Sequence, residues 1–458
     1  MKRHVLILAA GKSKRMKSKT SKVLHPILGK TVLEYVVDLA ERVSSDHTVI
    51  VVGDEHEDIK TTLDERNVSL AVQREQLGTG HAVMSAEEYL EGGTTLILMG
   101  DGPCLKPETL EALYEDHLKE KRDLTVLSLD VEDPTDYGRL VKEDDQLLRI
   151  TEHRDCSEEE LSICEINTGI FLLDTNHLKE ELKNLTDDND QKQYYITDLV
   201  DLFNQRGLRV GSFKMRDAQE FIGINDRYQL HEATEILRHR INEGWMRSGV
   251  TMINPSSIYI DASVEIEADA TIYPNTILKG KTIIAEDAEI GPNTTLTNVQ
   301  VGVGTKVENS VLLDSVVGEH STVGPFAYVR PGSIIGSHCK VGDFVEVKNS
   351  TLGDRSKVSH LSYVGDSDVG TDVNIGCGVV FVNYDGKVKH RTQVDDYAFI
   401  GCNVNLISPV HVHSGAYVAA GTTVTENVPE DALVVGRVRQ EIKEGRGKGR
   451  TKVQKGEK

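Results

Sequence analysis

The chain has 458 residues, enough at roughly 100 to 200 per domain for two to four domains, so a small binding module is excluded. Its 38% hydrophobic and 27% charged residues are ordinary for a globular protein, and 39 glycines with 5% aromatics favour a turn-rich β portion; neither collagen nor global disorder fits. Seventy-three acidic against 52 basic side chains leave a formal charge of −21, which repels polyphosphate, excludes nucleic acid as a partner of the whole surface and requires any phosphate ligand to meet a local basic site.

Met1-Lys2-Arg3 followed by the apolar run Val5 to Ala10 has the outline of a signal peptide, but six apolar residues are too few and Lys12, Lys14, Arg15 and Lys17 follow at once. The segment His4 to Ala10 reads instead as a buried strand. Further strands are expected at Thr48 to Val52, Thr94 to Met99, Asp123 to Leu129 and Gly169 to Leu173, with helical patterns such as Val32 to Val43 between them. That alternation marks a mostly parallel α/β sheet of Rossmann-like type. From Asn225 to Ser248, apolar residues at three- and four-residue steps (Leu230, Ala233, Ile236, Leu237, Ile241, Trp245) read as one amphipathic helix leaving this domain. The expected division is therefore 1–228, a linker helix over 229–249, and 250–458 with a loose basic tail from about 446. No run is long enough to insert into a membrane, and six scattered cysteines without a C-x-x-C pair read as reduced thiols, so a cytoplasmic location is expected.

Beyond Pro255 the period becomes six: Ile266, Ile272, Leu278, Ile284, Ile290 and Leu296, then Val317, Val323, Val329, Ile335, Val341 and Val347, then Val394, Ile400, Leu406, Val412, Val418 and Val424. A step of six alternates between opposing faces of an α-helix, whereas a fixed short period is the signature of a solenoid. The repeat resembles the left-handed parallel β-helix, a three-sided prism with three hexads per coil and its anchors stacked inside. Between Phe381 and Val394 the count runs to thirteen steps in place of twelve, and the extra length is expected to leave the prism as a loop.

Six of the eleven residues from Lys12 to Lys22 are basic, a local anion site at the end of the first strand. Gly11-Lys12-Ser13 is not a P-loop, because Leu6 stands where that motif needs glycine, and no G-x-G-x-x-G is present. Taken in order, Leu8-Ala9-Ala10-Gly11-x-x-x-Arg15-Met16, Ser21-Lys22-Val23-Leu24, Gln73, Leu77-Gly78-Thr79-Gly80-His81-Ala82, Gly100-Asp101, Tyr137-Gly138-Arg139, Glu152-His153, Asn167-Thr168-Gly169 and Gly223-Ile224-Asn225-Asp226-Arg227 resemble the motifs of sugar-1-phosphate nucleotidyltransferases. With the hexapeptide half, nearly the whole chain resembles the bacterial bifunctional N-acetylglucosamine-1-phosphate uridyltransferases that are also glucosamine-1-phosphate acetyltransferases.

The resemblance implies UTP and UDP-N-acetylglucosamine binding by Leu8, Ala9, Ala10, Gly11, Lys22, Gln73, Gly78, Thr79, Gly138, Glu152, Asn167 and Asn225. Backbone amides of a strand-to-helix turn suit phosphate, and a glutamine amide suits the imide edge of uracil. Asp101 and Asn225 are implied ligands of Mg²⁺, a hard cation that takes oxygen donors beside substrate phosphates; taken alone, an Asp at a strand end or an Asn before a helix also serves as a cap. Lys22 and Arg15 are implied to balance charge as pyrophosphate leaves.

For the second half, Arg330 and Lys348 lie eighteen residues apart, one coil, so their backbones are expected to stack about 4.8 Å apart and a phosphate between them relieves their repulsion. The resemblance implies glucosamine 1-phosphate binding by Arg330, Lys348, Tyr363 and Asn374, acetyl-CoA binding by Cys377, Asn383, Tyr384, Cys402, Ala420 and Arg437, and His360 as the base that takes the amine's proton, with Glu346 orienting it. Cys377 and Cys402 depart from the usual Ala and Ser, which puts any side-chain hydrogen bond at Cys402 in doubt, and Cys104 replaces a usual Leu. A homotrimer is implied by the likeness to hexapeptide acyltransferases. The alternative is nucleotidyl transfer alone with a regulatory or oligomerising β-helix, against which Arg330, Lys348, His360 and the inserted loop argue; a non-catalytic subunit keeping both folds is a third, against which Asp101, Lys22, Asn225 and His360 argue.

Overall fold

The computed structural model describes residues 2–11, 14–43, 45–144, 146–189 and 192–448; Lys12 and Ser13 of the basic turn, and the tail from 449, lie outside the described residues. The chain divides into two compact units, Met1–Ile241 and Asn242–Lys458, and the helix Arg227–Arg247 runs across the division.

The first unit is built on a nine-stranded sheet in the order Val210–Lys214, Leu124–Asp130, Glu165–Asp174, Thr94–Met99, Arg3–Leu8, His47–Val52, Val68–Val72, with the hairpin Arg139–Glu143 and Gln146–Thr151 joined to Glu165–Asp174. Only Glu165–Asp174 runs antiparallel to both its neighbours along the main path. Alternation along the central strand explains why it is buried on both faces. Val5, Ile7 and Ala9 pack with Val36, Leu39 and Leu113, whereas Leu6, Leu8 and Ala10 pack with Val83, Leu199 and Phe203 on the other side. The helix Val32–Arg42 starts at a reciprocal cap: the Thr31 hydroxyl accepts from the Glu34 amide (3.2 Å), and the Glu34 carboxylate accepts from the Thr31 amide (2.7 Å).

The second unit consists of short parallel strands stacked coil upon coil, consistent with the left-handed parallel β-helix. Tyr328 pairs with Glu346 and Val329 with Val347, and the anchors Leu278, Ile290, Val329, Ile400 and Leu406 are wholly buried. Each such side chain contributes roughly 1.5–3 kcal/mol on burial. The coils are less uniform than the six-residue count suggests. Thr295 pairs with Val311 after sixteen residues, Glu346 with Tyr363 after seventeen, and Val369 with Val394 after twenty-five. The long coil is thus seven residues over eighteen, not one, and the surplus forms a loop in which Tyr384 bridges Lys389 antiparallel.

Candidate active sites

Leu8, Ala9, Ala10, Gly11, Lys22, Gln73, Gly78, Thr79 and Asp101, drawn from five separated segments, line one cleft at the carboxyl ends of the parallel strands. Gly78 has φ +110°, and a Cβ there would lie 2.4 Å from the Tyr194 carbonyl oxygen, so no other residue fits this wall. Thr79 opens the helix Thr79–Met84 and its hydroxyl accepts from the Ile196 amide (3.2 Å). Gln73 is buried; its Nε2 donates to Gly78 O (3.0 Å) and stands 3.1 Å from His81 Nδ1. Ile224 N donates to Asp101 O (2.9 Å), which brings the segment after Gly223 to the end of the strand Thr94–Met99. There the Lys22 ammonium bonds the Asp101 carboxylate and also Asn225 Oδ1 (3.2 Å), with the Lys22 and Asp101 side chains only 17% and 13% exposed.

Gly138, Asn167 and Glu152 meet beside the hairpin. Asn167 N donates to Gly138 O (2.9 Å), Asn167 Oδ1 accepts from Gly169 N (2.9 Å), and a Cβ on Gly138 would lie 3.6 Å from either Glu152 carboxylate oxygen. Burial raises the Glu152 pKa above the usual carboxylate range, against a Thr197 hydroxyl that donates to it at 3.4 Å. Arg15 does not line the first cleft; it lines a second one with Asp136, Glu152, His153, Arg154, Asp155 and Tyr195.

On the prism, Arg330 N donates to Val347 O (2.8 Å), so Arg330 and Lys348 stand on adjacent strands. Each cation has a carboxylate partner: Arg330 Nη1 donates to Glu346 Oε1 (2.8 Å) and Lys348 Nζ to Asp366 Oδ2 (2.8 Å). Asp366 also accepts from Asn349 and Asn383, and Asn383 Nδ2 reaches the Tyr363 hydroxyl (3.2 Å). His360 lies opposite Asp343 in register, its Nδ1 2.6 Å from Asp343 Oδ1. The partner expected for it, Glu346, is taken by Arg330 instead. The hydrogen bond with His360 lowers the Asp343 pKa. Asn374 is on the same sheet as His360, paired with Lys357 and Phe399, while Tyr384 is in the inserted loop. Cys377, Cys402 and Ala420 occupy one corner of successive coils: Asn403 N donates to Cys377 O (2.8 Å), Gly421 N to Cys402 O (2.8 Å), and Arg437 Nη1 to Ala420 O (2.9 Å).

Several residues of the two sites escape the sequence reading, Asp366 beside Lys348 among them. Gln76, whose amide donates to Ala10 O, and Gln193 complete the first cleft. Asp343 pairs His360, and Lys389 of the inserted loop joins the cationic pair, its pKa lowered by the neighbouring Lys348 ammonium. Cys104 is fully buried among Met16, Ile27, Val32 and Ala233, and burial pushes its thiol up to about 12; it packs as a small hydrophobe.

Comparison with known proteins agrees with both halves. Residues 5–193 match the MobA-like NTP transferase domain, and residues 314–349 the bacterial transferase hexapeptide (six repeats). The bifunctional protein GlmU of Clostridioides difficile (strain 630) is 48% identical over 96% of this chain and 96% of its own length. Those of Alkaliphilus metalliredigens and Brevibacillus brevis are 46% and 49% identical, covering 97% and 95% of this chain and 98% and 95% of their own lengths. With identity of this order along nearly its full length and both domain types in one chain, the protein belongs to the bifunctional GlmU family and is an enzyme of two activities, uridylyl transfer and acetyl transfer.

Proposed function

We propose that residues 1–228 carry uridylyl transfer from UTP to N-acetylglucosamine 1-phosphate and residues 250–458 carry acetyl transfer from acetyl-CoA to glucosamine 1-phosphate, with the helix over 229–249 between, in a cytoplasmic homotrimer. The observation that carries this reading is the convergence of five separated segments on one cleft. Asp101 Oδ2 and Asn225 Oδ1 both accept from one ammonium, so an anionic and a neutral oxygen already share a cation, a donor set that fits Mg²⁺. Bound there, Mg²⁺ supplies Lewis-acid neutralisation of phosphate charge. The amides at Ala10 and Gly11 take up the UTP phosphates, Gly78 and Thr79 flank the base, and Gln73 reads its edge. Gly138, Glu152 and Asn167 hold the N-acetylglucosamine. As an oxygen of the sugar phosphate attacks the α-phosphorus of UTP and its bond to the β-phosphate oxygen breaks, Lys22 turns from Asp101 to the departing pyrophosphate and balances its charge, while Arg15, in the cleft with Glu152, balances charge on the attacking sugar phosphate.

In the second site Arg330 and Lys348 exchange their carboxylate partners for the phosphate of glucosamine 1-phosphate. Tyr363 and Asn374 orient the sugar. A carboxylate only accepts, so Asp343 obliges His360 Nδ1 to carry the proton and leaves Nε2 as the base for the attacking amine. Asn383, Tyr384, Arg437 and the backbone at Cys377, Cys402 and Ala420 receive acetyl-CoA; contacts through backbone tolerate the two cysteines. Assays of each half-reaction on wild type, Asp101→Ala and His360→Ala test the scheme. Asp101→Ala is expected to lose uridylyl transfer alone and His360→Ala acetyl transfer alone; parallel loss of both activities in either variant overturns it.

A further inference from the structure

On the strand His411–Val412, Val412 is a wholly buried anchor of the prism, so His411 and His413 project together to the outside. One coil earlier, Val394 pairs with Val412 and sets Asp395 beside them. His411 Nε2 lies 2.7 Å and His413 Nδ1 3.4 Å from the same oxygen, Asp395 Oδ2, and the two rings are 3.7 Å apart between centroids. Among the described residues this is the one place where three His, Cys, Asp or Glu groups bring ligand atoms within 4.8 Å of one another. The other carboxylate–imidazole pairs of the unit, His360 with Asp343 and His390 with Asp385, have a single ring each and are satisfied as hydrogen bonds.

We propose that Asp395, His411 and His413 form a Zn²⁺ site on the prism wall, in which the metal ties the coil of Val394 to the coil of Val412. Two imidazoles and one carboxylate are donors for Zn²⁺ and its neighbours in the first transition row, and a poor set for Mg²⁺ or Ca²⁺. Tetrahedral ligands about 2.0–2.2 Å from zinc lie about 3.3 Å from one another, and the separations of 2.7 and 3.4 Å bracket that spacing. Gln393 Nε2 donates to the other Asp395 oxygen (2.9 Å), which holds the carboxylate in position as an outer partner does in zinc sites. The three side chains are 26%, 28% and 42% exposed, so the fourth direction opens to water and the site fills from solvent. None of the three residues belongs to either proposed active site.

The test uses the full-length protein after removal of metals by a chelator. Zn²⁺ is titrated calorimetrically into wild type, His411→Ala, His413→Ala and Asp101→Ala, and Co²⁺ binding is followed by visible absorption. One high-affinity Zn²⁺ per chain is expected in wild type and in Asp101→Ala, with Co²⁺ giving the intense bands of a tetrahedral nitrogen–oxygen site. Both histidine variants are expected to bind at least about 100-fold more weakly, more than the loss of an outer-shell partner costs. Added Zn²⁺ is expected to raise the thermal midpoint of wild type and not of His413→Ala, whose uridylyl and acetyl transfer without zinc match wild type. Equal zinc affinity in wild type and both histidine variants, or wild type giving no stoichiometric binding and only octahedral Co²⁺ bands, overturns the site.

Discussion

At His360 the neighbour decides which ring nitrogen is free, and that neighbour was the hardest part of the acetyl site to read from the sequence. Coils of eighteen residues would set Gly342 opposite His360; the seventeen-residue coil here sets Asp343 there instead. Glu346, the nearer candidate by chemistry, spends its charge on Arg330. Asn in place of Asp343 can donate as well as accept and no longer enforces one tautomer. Asp343→Asn is therefore expected to lower kcat of acetyl transfer by about 10- to 100-fold, part of the roughly 100- to 10,000-fold a positioned base supplies, with uridylyl transfer unchanged. Steady-state assays of both half-reactions check it. In the first domain the motif residues were legible one by one, because strand ends and glycine turns mark themselves; Gln76 and Gln193 carried no such mark, and only folding brings them to the cleft.

Among the elements, the interior strands were readable from continuous apolar runs, while those the sequence reading did not name include both edges of the sheet, Val68–Val72 and Val210–Lys214, which bury fewer of their residues and carry no continuous apolar run. The inserted loop was legible as an interruption but not in length or content. Its Lys389 presses on Lys348, a repulsion that a phosphate bound between them relieves. Lys389→Ala is expected to raise KM for glucosamine 1-phosphate roughly tenfold while kcat changes little, as initial-rate kinetics will show. The helix Pro107–Lys119 offers a prediction about stability. Its His117 is buried, with Nδ1 2.8 Å from Thr125 Oγ1, and burial lowers its pKa from 6.5 to about 4. As pH falls below about 6.5 the unfolded chain takes a proton that the folded one refuses until about 4, so stability is lost across that window. Denaturant titrations at pH 7 and pH 4.5 are expected to show His117→Gln losing about 2 kcal/mol less than wild type.

For the molecule as a whole, the change from an α/β alternation to a period of six was legible because each pattern must hold over many residues for its core to close. Assembly is not written in that period. A homotrimer predicts a mass by light scattering of three times 50.6 kDa, and a mass of 50.6 kDa would refute it. Among the described residues no helix is long and apolar enough to cross a membrane. The extruded segment between Phe381 and Val394 has a further consequence. Phe381 still meets Leu406, and Val369 still meets Val394, so the walls above and below close as if the surplus were absent. Residues can be gained or lost at that point without shifting any rung, whereas the same change within a rung displaces every one after it. Descendants of this chain that acquire a different sugar preference should therefore differ first in the length and charge of that one excursion, with the stacked framework left unaltered.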